Sequence, residues 1–388
     1  MSLARNTKFG INIDFERSHG MYIYDKNSDR EILDLFGMYA SLPLGYNHPI
    51  FKTPEFIDEY LRASSLKINN CEFVSDETLE FDKVFTEYAG VGIYRNIHYS
   101  CTGALAVEAA IKTCIRYKNF HSPKILSFHN SFHGINSYGG FITSRFSGAD
   151  KRLKGFPEVF SIKVEPDLHK VEANLRNGDI TCLLVEPIQC SAGDIHHNKS
   201  FFKELRWLCD KYDVPLVFDE IQVGFGGTGK LWYFEHIDVE PDIVIFGKKT
   251  QLSGIMVKDE FAQIFSQEDS GRLEVTWDGD ISDMIRCKYI IKAYEKYDIL
   301  SNVEKMSKIL SSSLSQVPEI LNLRNCGLIF GFDLTSTRYR DILIKNAYEN
   351  GMICNIAGKT SIRLRPSLSV TEKDIEQATS IFKSSMRK

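Results

Sequence analysis

Three short and strongly apolar runs occur in the middle of the chain, separated by stretches with a helical pattern. The runs are Cys182–Val185, Leu216–Phe218 and Ile243–Phe246, and the clearest helix between them is Phe201–Tyr212. Strands that alternate with helices predict an α/β fold with a mostly parallel, doubly wound sheet. In such a sheet the functional residues gather at the carboxyl ends of the strands.

A charged residue stands at the carboxyl end of each run: Glu186, Asp219 and Lys248. A lysine and an acid held at neighbouring strand ends suit one chemistry well. The lysine can form a Schiff base to pyridoxal phosphate, and the acid can lie beneath the ring nitrogen of that cofactor and keep it protonated. Lys249 follows Lys248 directly, and spacing alone does not choose between the two lysines.

Each of these features also has a simpler interpretation. A lone lysine is usually a solvated loop residue, and a strand-end aspartate can cap a helix or bind a metal. His129 and His133 have the i,i+4 spacing of metal ligands, but no third ligand lies near them in the sequence, so we predict no metal site. The segment GFGGTGK (224–230) resembles a P-loop, but Leu231 stands where that motif needs Ser or Thr, so we interpret it as a glycine-rich turn.

Pyridoxal phosphate also needs a phosphate site, a flat wall and a partner for its ring hydroxyl. The helical pattern Thr102–Tyr117 begins with Gly103 and Ala104, whose small side chains leave backbone N–H groups open to a phosphate. Phe132 is a candidate to stack on the ring, although core packing is the commoner role of a single Phe. Gln222 can hydrogen-bond the ring hydroxyl, and its alternative is an ordinary polar loop residue.

The two ends of the chain predict a second, smaller α+β unit. Residues 20–36 indicate a β-hairpin. After about residue 285 the pattern predicts a helix at Asp283–Tyr297, a strand at Leu328–Leu334, a helix at Arg338–Asn350, a strand at Ser361–Leu364 and a helix at Thr371–Met386 capped by Thr371 and Asp374. We therefore expect residues 46–285 to form a large cofactor-binding domain, and residues 1–45 and 286–388 to form a small one.

Composition excludes several functional classes. The 388 residues carry a net charge of −4, which argues against a broad nucleic-acid or membrane-surface footprint. No apolar run approaches the ~20 residues that span a bilayer, and the N-terminus lacks the apolar segment of a secretory signal. The nine cysteines are scattered without zinc-site spacing, which predicts reduced thiols and a cytoplasmic protein.

Several motifs occur together in an order that resembles the class III aminotransferases, a fold-type I pyridoxal-phosphate family. They are LGYNHP (44–49), GALAVE (103–108), FHG (132–134), EPIQ (186–189), DEIQ followed by GFG (219–226), PDIVIFGKK (241–249) and IRLRP (362–366). The resemblance covers nearly the whole chain. FGKKTQ (246–251), GALAVE and VTWDG (275–279) resemble the lysine 6-aminotransferases in particular.

The resemblance implies a transaminase that moves an amino group between an amine or amino acid, with a terminal amine favoured, and an oxo acid such as 2-oxoglutarate, by a ping-pong mechanism. It implies that Lys248 is the Schiff-base residue and the proton carrier. It assigns cofactor contacts to Gly103, Ala104, Phe132, Asp219 and Gln222. It also implies a homodimer in which Thr276 reaches the phosphate in the neighbouring subunit, and a substrate carboxylate on Arg363, with Arg365 as the near competitor.

Three positions depart from the lysine 6-aminotransferases. Ser191 stands where they have a glutamate that shields the carboxylate-binding arginine, and Ile135 stands where they have an arginine for a distal carboxylate. Gly227 also replaces an arginine. An acid and a cation are lost together from the site, which leaves no unpaired buried charge and predicts an altered substrate specificity.

Two other hypotheses stay open on the sequence alone. The same cofactor on the same fold supports decarboxylation, racemisation or aminomutase chemistry. A non-catalytic binding protein could also keep the fold, although the lysine, the acid and the phosphate-binding helix start argue against it.

Overall fold

The computed structural model describes residues 9–68, 73–120, 122–144, 160–266 and 268–386. Its strands are β1 (Tyr22–Asp25), β2 (Arg30–Asp34), β3 (Asn96–Ser100), β4 (Lys124–Phe128), β5 (Ser161–Val164), β6 (Ile180–Val185), β7 (Ile188–Gln189), β8 (Ile195–His196), β9 (Leu216–Asp219), β10 (Ile243–Phe246), β11 (Ser253–Val257), β12 (Leu321–Cys326), β13 (Ile329–Asp333), β14 (Met352–Ile353), β15 (Asn355–Ala357) and β16 (Ser361–Leu364). Its α-helices are Pro54–Leu66, Asp76–Ala89, Gly103–Lys118, Ser137–Ile142, Leu168–Leu175, Lys199–Lys211, Phe234–Ile237, Ile281–Lys296, Ile299–Ser315, Thr337–Glu349 and Glu372–Met386.

A seven-stranded sheet with the order β3-β11-β10-β9-β6-β4-β5 forms the centre of the molecule. Strands β10, β9, β6, β4 and β5 run parallel, and β11 runs antiparallel to both of its neighbours. The three apolar runs are β6, β9 and β10, and they are direct neighbours, which confirms the predicted mostly parallel sheet. These strands are buried throughout because both faces of the sheet are covered, and this explains their continuous apolar sequences.

Alternate residues of the central strands point to two different layers. Val217 and Ile245 pack on one face with the helix Gly103–Lys118, whose buried residues include Val107 and Ile111 at helical spacing. On the other face Phe218 packs in a second cluster with buried residues of the helix Lys199–Lys211, such as Phe202 and Leu205. The sheet is therefore held rigidly on both sides, and its strand ends are fixed in position.

The ends of the chain form two further sheets. The predicted N-terminal hairpin is confirmed by the antiparallel pairing of β1 with β2, and β14 adds to β2 in parallel. Strands β12, β13, β16 and β15 form a four-stranded sheet. The predicted final helix is also confirmed: Asp374 N donates to Thr371 Oγ1 at 3.3 Å, and Thr371 N donates to Asp374 Oδ2 at 2.9 Å.

Some elements have weaker sequence signals. The strands β3 and β11 pair at one side of the central sheet. The sequence of β3, NIHYS, alternates poorly because the strand is only partly buried. The helix Ile299–Ser315 buries residues at three- and four-residue spacing, but the serines between them dilute the apolar pattern.

Within the described residues no helix is both long enough and apolar enough to cross a membrane. The cysteines of that part of the chain are free thiols, most of them buried and Cys101 exposed. Cys71 lies outside the described residues. The same holds for residues 1–8, the N-terminal segment that a secretory signal would occupy.

Candidate active site

The predicted charged residues meet at the carboxyl edge of the central sheet. Strands β6, β9 and β10 are parallel neighbours in register, so Glu186, Asp219 and Lys248 come together where these strands end. A cavity of about 560 Å³ opens above them. Besides Glu186, most of the site residues predicted from the sequence line this cavity: Gly103, Ala104, Phe132, Ile135, Ser191, Asp219, Gln222, Lys248 and Arg363.

Lys248 reaches the cavity from a tight turn. The turn follows β10, and Lys248 itself has a left-handed backbone with φ of 55°. Within the described residues its ammonium group makes no hydrogen bond or ion pair, and it is partly accessible from the cavity. Burial by the surrounding protein still lowers the pKa of Lys248. The side chain therefore combines an unengaged amine with an increased neutral fraction.

Lys249 points away from the cavity and is buried. Its Nζ donates to the backbone oxygen of Gln222 at 2.6 Å, and burial together with Arg365 and Lys248 lowers the pKa of Lys249 to about 7. A Cβ atom on Gly227 would lie 2.8 Å from Lys249 Cε, so the glycine that replaces an arginine leaves the room that Lys249 occupies. The two adjacent lysines thus have different surroundings, and only Lys248 lines the cavity.

Asp219 is fixed in orientation by two contacts. His133 Nδ1 lies 2.9 Å from Asp219 Oδ2, and Ile221 N donates to Asp219 Oδ1 at 3.2 Å. Both side chains of the His133–Asp219 pair are buried, and His133 Nε2 has no partner among the described residues. The histidine therefore restricts the carboxylate to one position beneath the cavity.

Glu186 contributes a second acidic side chain. Its Oε1 accepts a hydrogen bond from Phe132 N at 2.7 Å, which anchors the segment that carries Phe132. Burial, with a further contribution from the charge of Asp219, raises the pKa of Glu186 to about 8. Glu186 is therefore mostly neutral at pH 7. We refer to Glu186, Asp219 and Lys248, together with His133, as the floor of the cavity.

The start of the helix Gly103–Lys118 lies at one side of the cavity. Thr102 caps this helix by accepting from Leu105 N at 3.3 Å, and the N–H groups of the first turn have no intrahelical acceptors. A Cβ on Gly103 would lie 2.9 Å from the terminal Cδ1 of Ile221, so glycine leaves this side chain in place without any shift. The helix start therefore presents free backbone donors and little side-chain bulk, as an anionic group requires.

Gln222 links two arginines: Arg363, which lies in β16, and Arg365, which directly follows that strand. Its Oε1 accepts from Arg363 Nη1 at 3.3 Å and from Arg365 Nε at 3.2 Å. Because the amide oxygen is used by the arginines, the amide nitrogen is left to donate elsewhere. This fits a donor to a ring hydroxyl, the contact predicted for Gln222.

The two arginines differ in what they bind. Arg365 is fully buried and pairs with Asp194 through both of its terminal nitrogens, one of them 3.0 Å from Asp194 Oδ2. Arg363 lines the cavity, and within the described residues its donors are used only at Nη1, which bonds Cys190 O at 3.2 Å and Gln222. Arg365 is thus committed to an internal ion pair, whereas Arg363 has no carboxylate partner in the described part of the chain.

Met38, Tyr39 and Ile135 also line the cavity, and Tyr39 and Ile135 are largely exposed; we call these three residues the mouth. Met38 and Tyr39 lie in a left-handed turn, Gly37–Ala40, in which all four residues have positive φ. Asp34 supports the start of the turn, since its Oδ1 accepts from Phe36 N at 2.7 Å and from Gly37 N at 2.9 Å. Strained backbone of this kind persists where the surrounding structure imposes it, often beside functional sites.

Thr276 is exposed and does not line the cavity of its own chain. It lies in the segment VTWDG, where Cys101 Sγ lies 3.1 Å from Trp277 O. The segment is therefore adjacent to the start of the helix Gly103–Lys118. The predicted contact of Thr276 with a neighbouring subunit stays a prediction.

The residues around the cavity fit pyridoxal phosphate. They provide the unengaged amine of Lys248, a buried acid that His133 holds in one orientation, and the flat aromatic side chain of Phe132. They also provide the start of a helix whose first residue is a glycine. Within the part of the chain that is described, no group of His, Cys, Asp or Glu side chains is arranged to hold a metal ion. A family model described as aminotransferase class III matches residues 3–386.

The chain belongs to the class III aminotransferases. It is 32% identical to the L-lysine-epsilon aminotransferase of Mycobacterium tuberculosis, over 97% of this chain and 92% of that protein. It is 28% identical to the mitochondrial 4-aminobutyrate aminotransferase of Mus musculus, over 95% of this chain and 83% of that protein. The solved structure of the lysine aminotransferase from M. tuberculosis, in its internal aldimine form, matches with a TM-score of 0.93 at 30% identity and covers 100% of this chain and 96% of that one.

These findings confirm the predicted fold type and reaction class. The protein is a pyridoxal-phosphate-dependent aminotransferase of fold type I, and the relatives named above are transaminases. Nothing in these comparisons favours the alternative hypotheses of decarboxylase, racemase or aminomutase chemistry.

Sequence reasoning missed several side chains of this aminotransferase's cavity. His133 was considered only as a metal ligand, and its contact with Asp219 depends on the folded path of the FHG segment. Met38, Tyr39 and Ser41 line the cavity but come from the distant N-terminal segment. A turn with successive positive φ values at non-glycine residues has no clear sequence signal, although Gly37 marks its start.

Proposed function

We propose that this aminotransferase binds its cofactor through Lys248 and transfers amino groups in the cavity at the ends of β6, β9 and β10, with a substrate specificity that differs from that of the lysine 6-aminotransferases. One observation carries the assignment: of two adjacent lysines, only Lys248 lines the cavity, where Asp219 is held in place by His133. The cofactor, when bound, supplies an electron sink for the substrate carbon that loses its proton.

Lys248 has the properties of the group that moves the proton. As a free amine, Lys248 has a lowered pKa, which increases the fraction that is neutral and able to act as a base. Its left-handed backbone at the end of a rigid strand fixes the origin of the side chain. The same amine can then donate that proton to a second carbon atom, as a transamination requires.

The other floor and wall residues hold the cofactor in this proposal. Asp219 pairs with the protonated ring nitrogen, and His133 keeps the carboxylate in position. The N–H groups of Gly103 and Ala104 bind the phosphate, Phe132 lies against the ring, and the amide nitrogen of Gln222 donates to the ring hydroxyl. Each of these side chains lines the same cavity, which supports the assignment.

Arg363 is proposed to bind the substrate carboxylate. It lines the cavity and has no carboxylate partner within the described residues, whereas Arg365 is committed to Asp194. Ser191 is buried at the position of the shielding glutamate and carries no charge to compete for Arg363. The arginine would therefore be available to carboxylates in both half-reactions.

We further propose an active homodimer in which Thr276 completes the phosphate site of the neighbouring subunit. Val275 and Trp277 flank Thr276 and are each 43% exposed, so this segment presents apolar surface that a second copy of the chain could cover. Mixed dimers test the arrangement. If Thr276 acts across the interface, a dimer of Lys248→Ala and Thr276→Ala subunits contains one intact site and regains cofactor binding and activity; if it acts within its own chain, no intact site forms.

The domain boundaries at residues 45/46 and 285/286 and a cytoplasmic location are also proposals. All seven strands of the central sheet lie between residues 96 and 257, and β14 joins the N-terminal hairpin, which supports the boundaries. Free thiols are typical of a reducing compartment and support the location. Limited proteolysis and cell fractionation are direct tests.

Chemical trapping tests the central proposal. Borohydride reduction of the loaded enzyme makes the bond between the lysine and the cofactor permanent, and peptide mapping then locates it. We expect the label on Lys248, and oxo-acid formation that requires both an amino donor and an oxo-acid acceptor. A label on Lys249, or on no lysine of this segment, would contradict the assignment.

A further inference from the structure

Within the described residues, the cavity offers one cation to a substrate. Among the described residues that line it, Lys248 and Arg363 are the lysine and arginine side chains, and Lys248 is assigned to the cofactor. His133 lies in the floor and is engaged with Asp219. Arg363 therefore remains as the side chain able to neutralise a charged substrate group.

Arg363 has unused capacity for a ligand. Its Nη1 donates to two neutral oxygens, Cys190 O and Gln222 Oε1, and its Nε and Nη2 make no hydrogen bond to the described residues. Asp194, which lies nearby, is paired with Arg365 through both of its oxygens. The positive charge of Arg363 is thus left for one carboxylate of a ligand, bound through the fork of the guanidinium.

Among the described residues, the mouth provides no partner for a second charge. Ile135 is 55% exposed and Tyr39 is 47% exposed, and with Met38 they present apolar surface to the cavity. Ser191 adds a single hydroxyl to the lining of the cavity. A charged group placed against these side chains gains no ion pair from the described residues, whereas an apolar group gains contact with them.

We propose that the preferred substrates are amino acids that carry one carboxylate and no charge besides the reacting amine, together with the matching oxo acids. The remaining chain of such a substrate lies against Ile135, Tyr39 and Met38, and its carboxylate lies on Arg363. The inference rests on the proposed function and deepens it. It implies that glutamate, with a second carboxylate, and lysine, with a second ammonium group, are poor substrates.

Matched donors test this inference. Norvaline has the carbon skeleton of glutamate without the distal carboxylate, and norleucine has that of lysine without the second amine. 6-Aminohexanoate keeps the terminal amine of lysine and lacks the α-amino group. The kcat/KM of each half-reaction is measured on the loaded enzyme by the change in cofactor absorbance. We expect norvaline to exceed glutamate, and norleucine or 6-aminohexanoate to exceed lysine, by about tenfold or more.

Binding of unreactive acids gives a measurement that does not depend on catalysis. Pentanoate and glutarate have the same chain length, and calorimetry on the loaded enzyme should show tighter binding of pentanoate. Arg363→Gln should abolish that binding. Equal or tighter binding of glutarate would overturn the inference whatever the kinetic result.

Added arginines provide a gain-of-function arm. Ile135→Arg should raise the affinity for glutarate and the kcat/KM for glutamate by about tenfold, because it supplies the missing cation. Ile342→Arg, at a partly exposed position of the helix Thr337–Glu349 outside the cavity, is the matched control and should change neither. If Ile135→Arg does not fold, the comparison of pentanoate with glutarate on the unmodified enzyme still tests the inference.

The outcomes separate the inference from the proposed function. An enzyme that transfers amino groups from glutamate or lysine faster than from the matched donors keeps the proposed function and overturns the inference. An enzyme that reacts with none of the five donors, and whose borohydride label is absent from Lys248, contradicts the proposed function itself.

Discussion

The floor and the mouth of the cavity are built in different ways. The floor residues follow three neighbouring parallel strands, or are held by a residue that does, and their positions are set by a sheet packed on both faces. The mouth residues come from a left-handed turn and from the loop after Phe132, and Tyr39 and Ile135 are largely exposed. The comparison teaches that the shared chemistry is fixed by the rigid sheet, while the recognition of the substrate depends on segments that can vary without disturbing the core.

We expect the largest effect from a substitution in the floor of the cavity. Lys248→Met should reduce turnover by about 10⁴-fold or more, because the attachment point and the proton carrier are lost together. Lys249→Met is the matched control. It removes a buried ammonium group that, among the described residues, bonds only the backbone of Gln222, so we expect most of the activity to remain.

Steady-state kinetics and the thermal midpoint of both variants check this prediction. The Lys248→Met protein should fold normally, since within the described residues the side chain makes no hydrogen bond or ion pair that supports the structure. Normal activity in Lys248→Met combined with loss in Lys249→Met would reverse the assignment of the two lysines.

Removing the acid from the floor should have the next largest effect. Asp219→Asn keeps the size of the side chain but removes the charge that is proposed to hold the ring proton. We expect kcat to fall on the order of 10²- to 10³-fold, the usual cost of one preorganised electrostatic partner. The cofactor absorbance, followed against pH, should show that the ring proton is lost at lower pH than in the unmodified enzyme.

Glu220→Gln is the control for this substitution. Glu220 is the next residue and is also buried, but its carboxylate accepts from Tyr233 N and Phe234 N and does not line the cavity. Glutamine keeps one acceptor oxygen and places an NH2 group where the second oxygen was, so stability should fall, but kcat should stay within about twofold because the side chain does not line the cavity. A loss in Glu220→Gln as large as that in Asp219→Asn would show that the effect is not specific to the acid beneath the ring.

The two arginines near Gln222 sharpen the comparison between a structural charge and a binding charge. Arg365→Gln leaves Asp194 buried without its partner and should lower the free energy of unfolding by about 3–5 kcal/mol. Arg363→Gln should leave stability nearly unchanged and raise the KM for amino acids about 10- to 100-fold, because a charge-assisted contact is lost. Denaturant unfolding and steady-state kinetics separate the two effects, and a KM effect confined to Arg365→Gln would assign the carboxylate site to the other arginine.

The sequence alone predicted the floor better than the mouth, for physical reasons. Buried parallel strands require continuous apolar runs, so β6, β9 and β10 were visible, and the positions of Glu186, Asp219 and Lys248 followed from them. Lys248 and Lys249 could not be separated without coordinates, because a single turn decides which side chain enters the cavity. Met38 and Tyr39 were missed because contacts with segments distant in sequence bring that turn to the site, such as the pairing of β2 with β14 and the hydrogen bond from Arg365 N to Leu35 O.

Glu186 predicts a dependence of stability on pH. Its pKa of about 8 in the folded protein lies above the usual value for glutamate, so between these values the unfolded chain binds fewer protons than the folded one. The contribution of this group to stability is therefore complete at low pH and is lost as the pH rises toward about 8, by up to about 1.4 kcal/mol per pH unit.

Glu186→Gln should remove this dependence, because glutamine can still accept from Phe132 N but does not titrate. The difference between the unfolding free energies of the two proteins, measured without cofactor from pH 5 to pH 9, isolates this group from Glu220, whose burial also raises its pKa to about 8. A difference curve that is flat across this range would show that Glu186 is ionised in the folded protein.

The smallest effect concerns the mouth. Tyr39→Ala should lower kcat/KM for norleucine about three- to tenfold, the size expected for the loss of one aromatic contact, while Tyr39→Phe should be neutral because the hydroxyl makes no hydrogen bond to the described residues. Tyr39→Gly separates the side chain from the backbone, since glycine relieves the left-handed conformation that alanine keeps at φ of 60°. If Tyr39→Gly restores the activity that Tyr39→Ala loses, the turn acts through its backbone and not through apolar contact with the substrate. If both variants are equally impaired, the substrate contacts the ring of Tyr39.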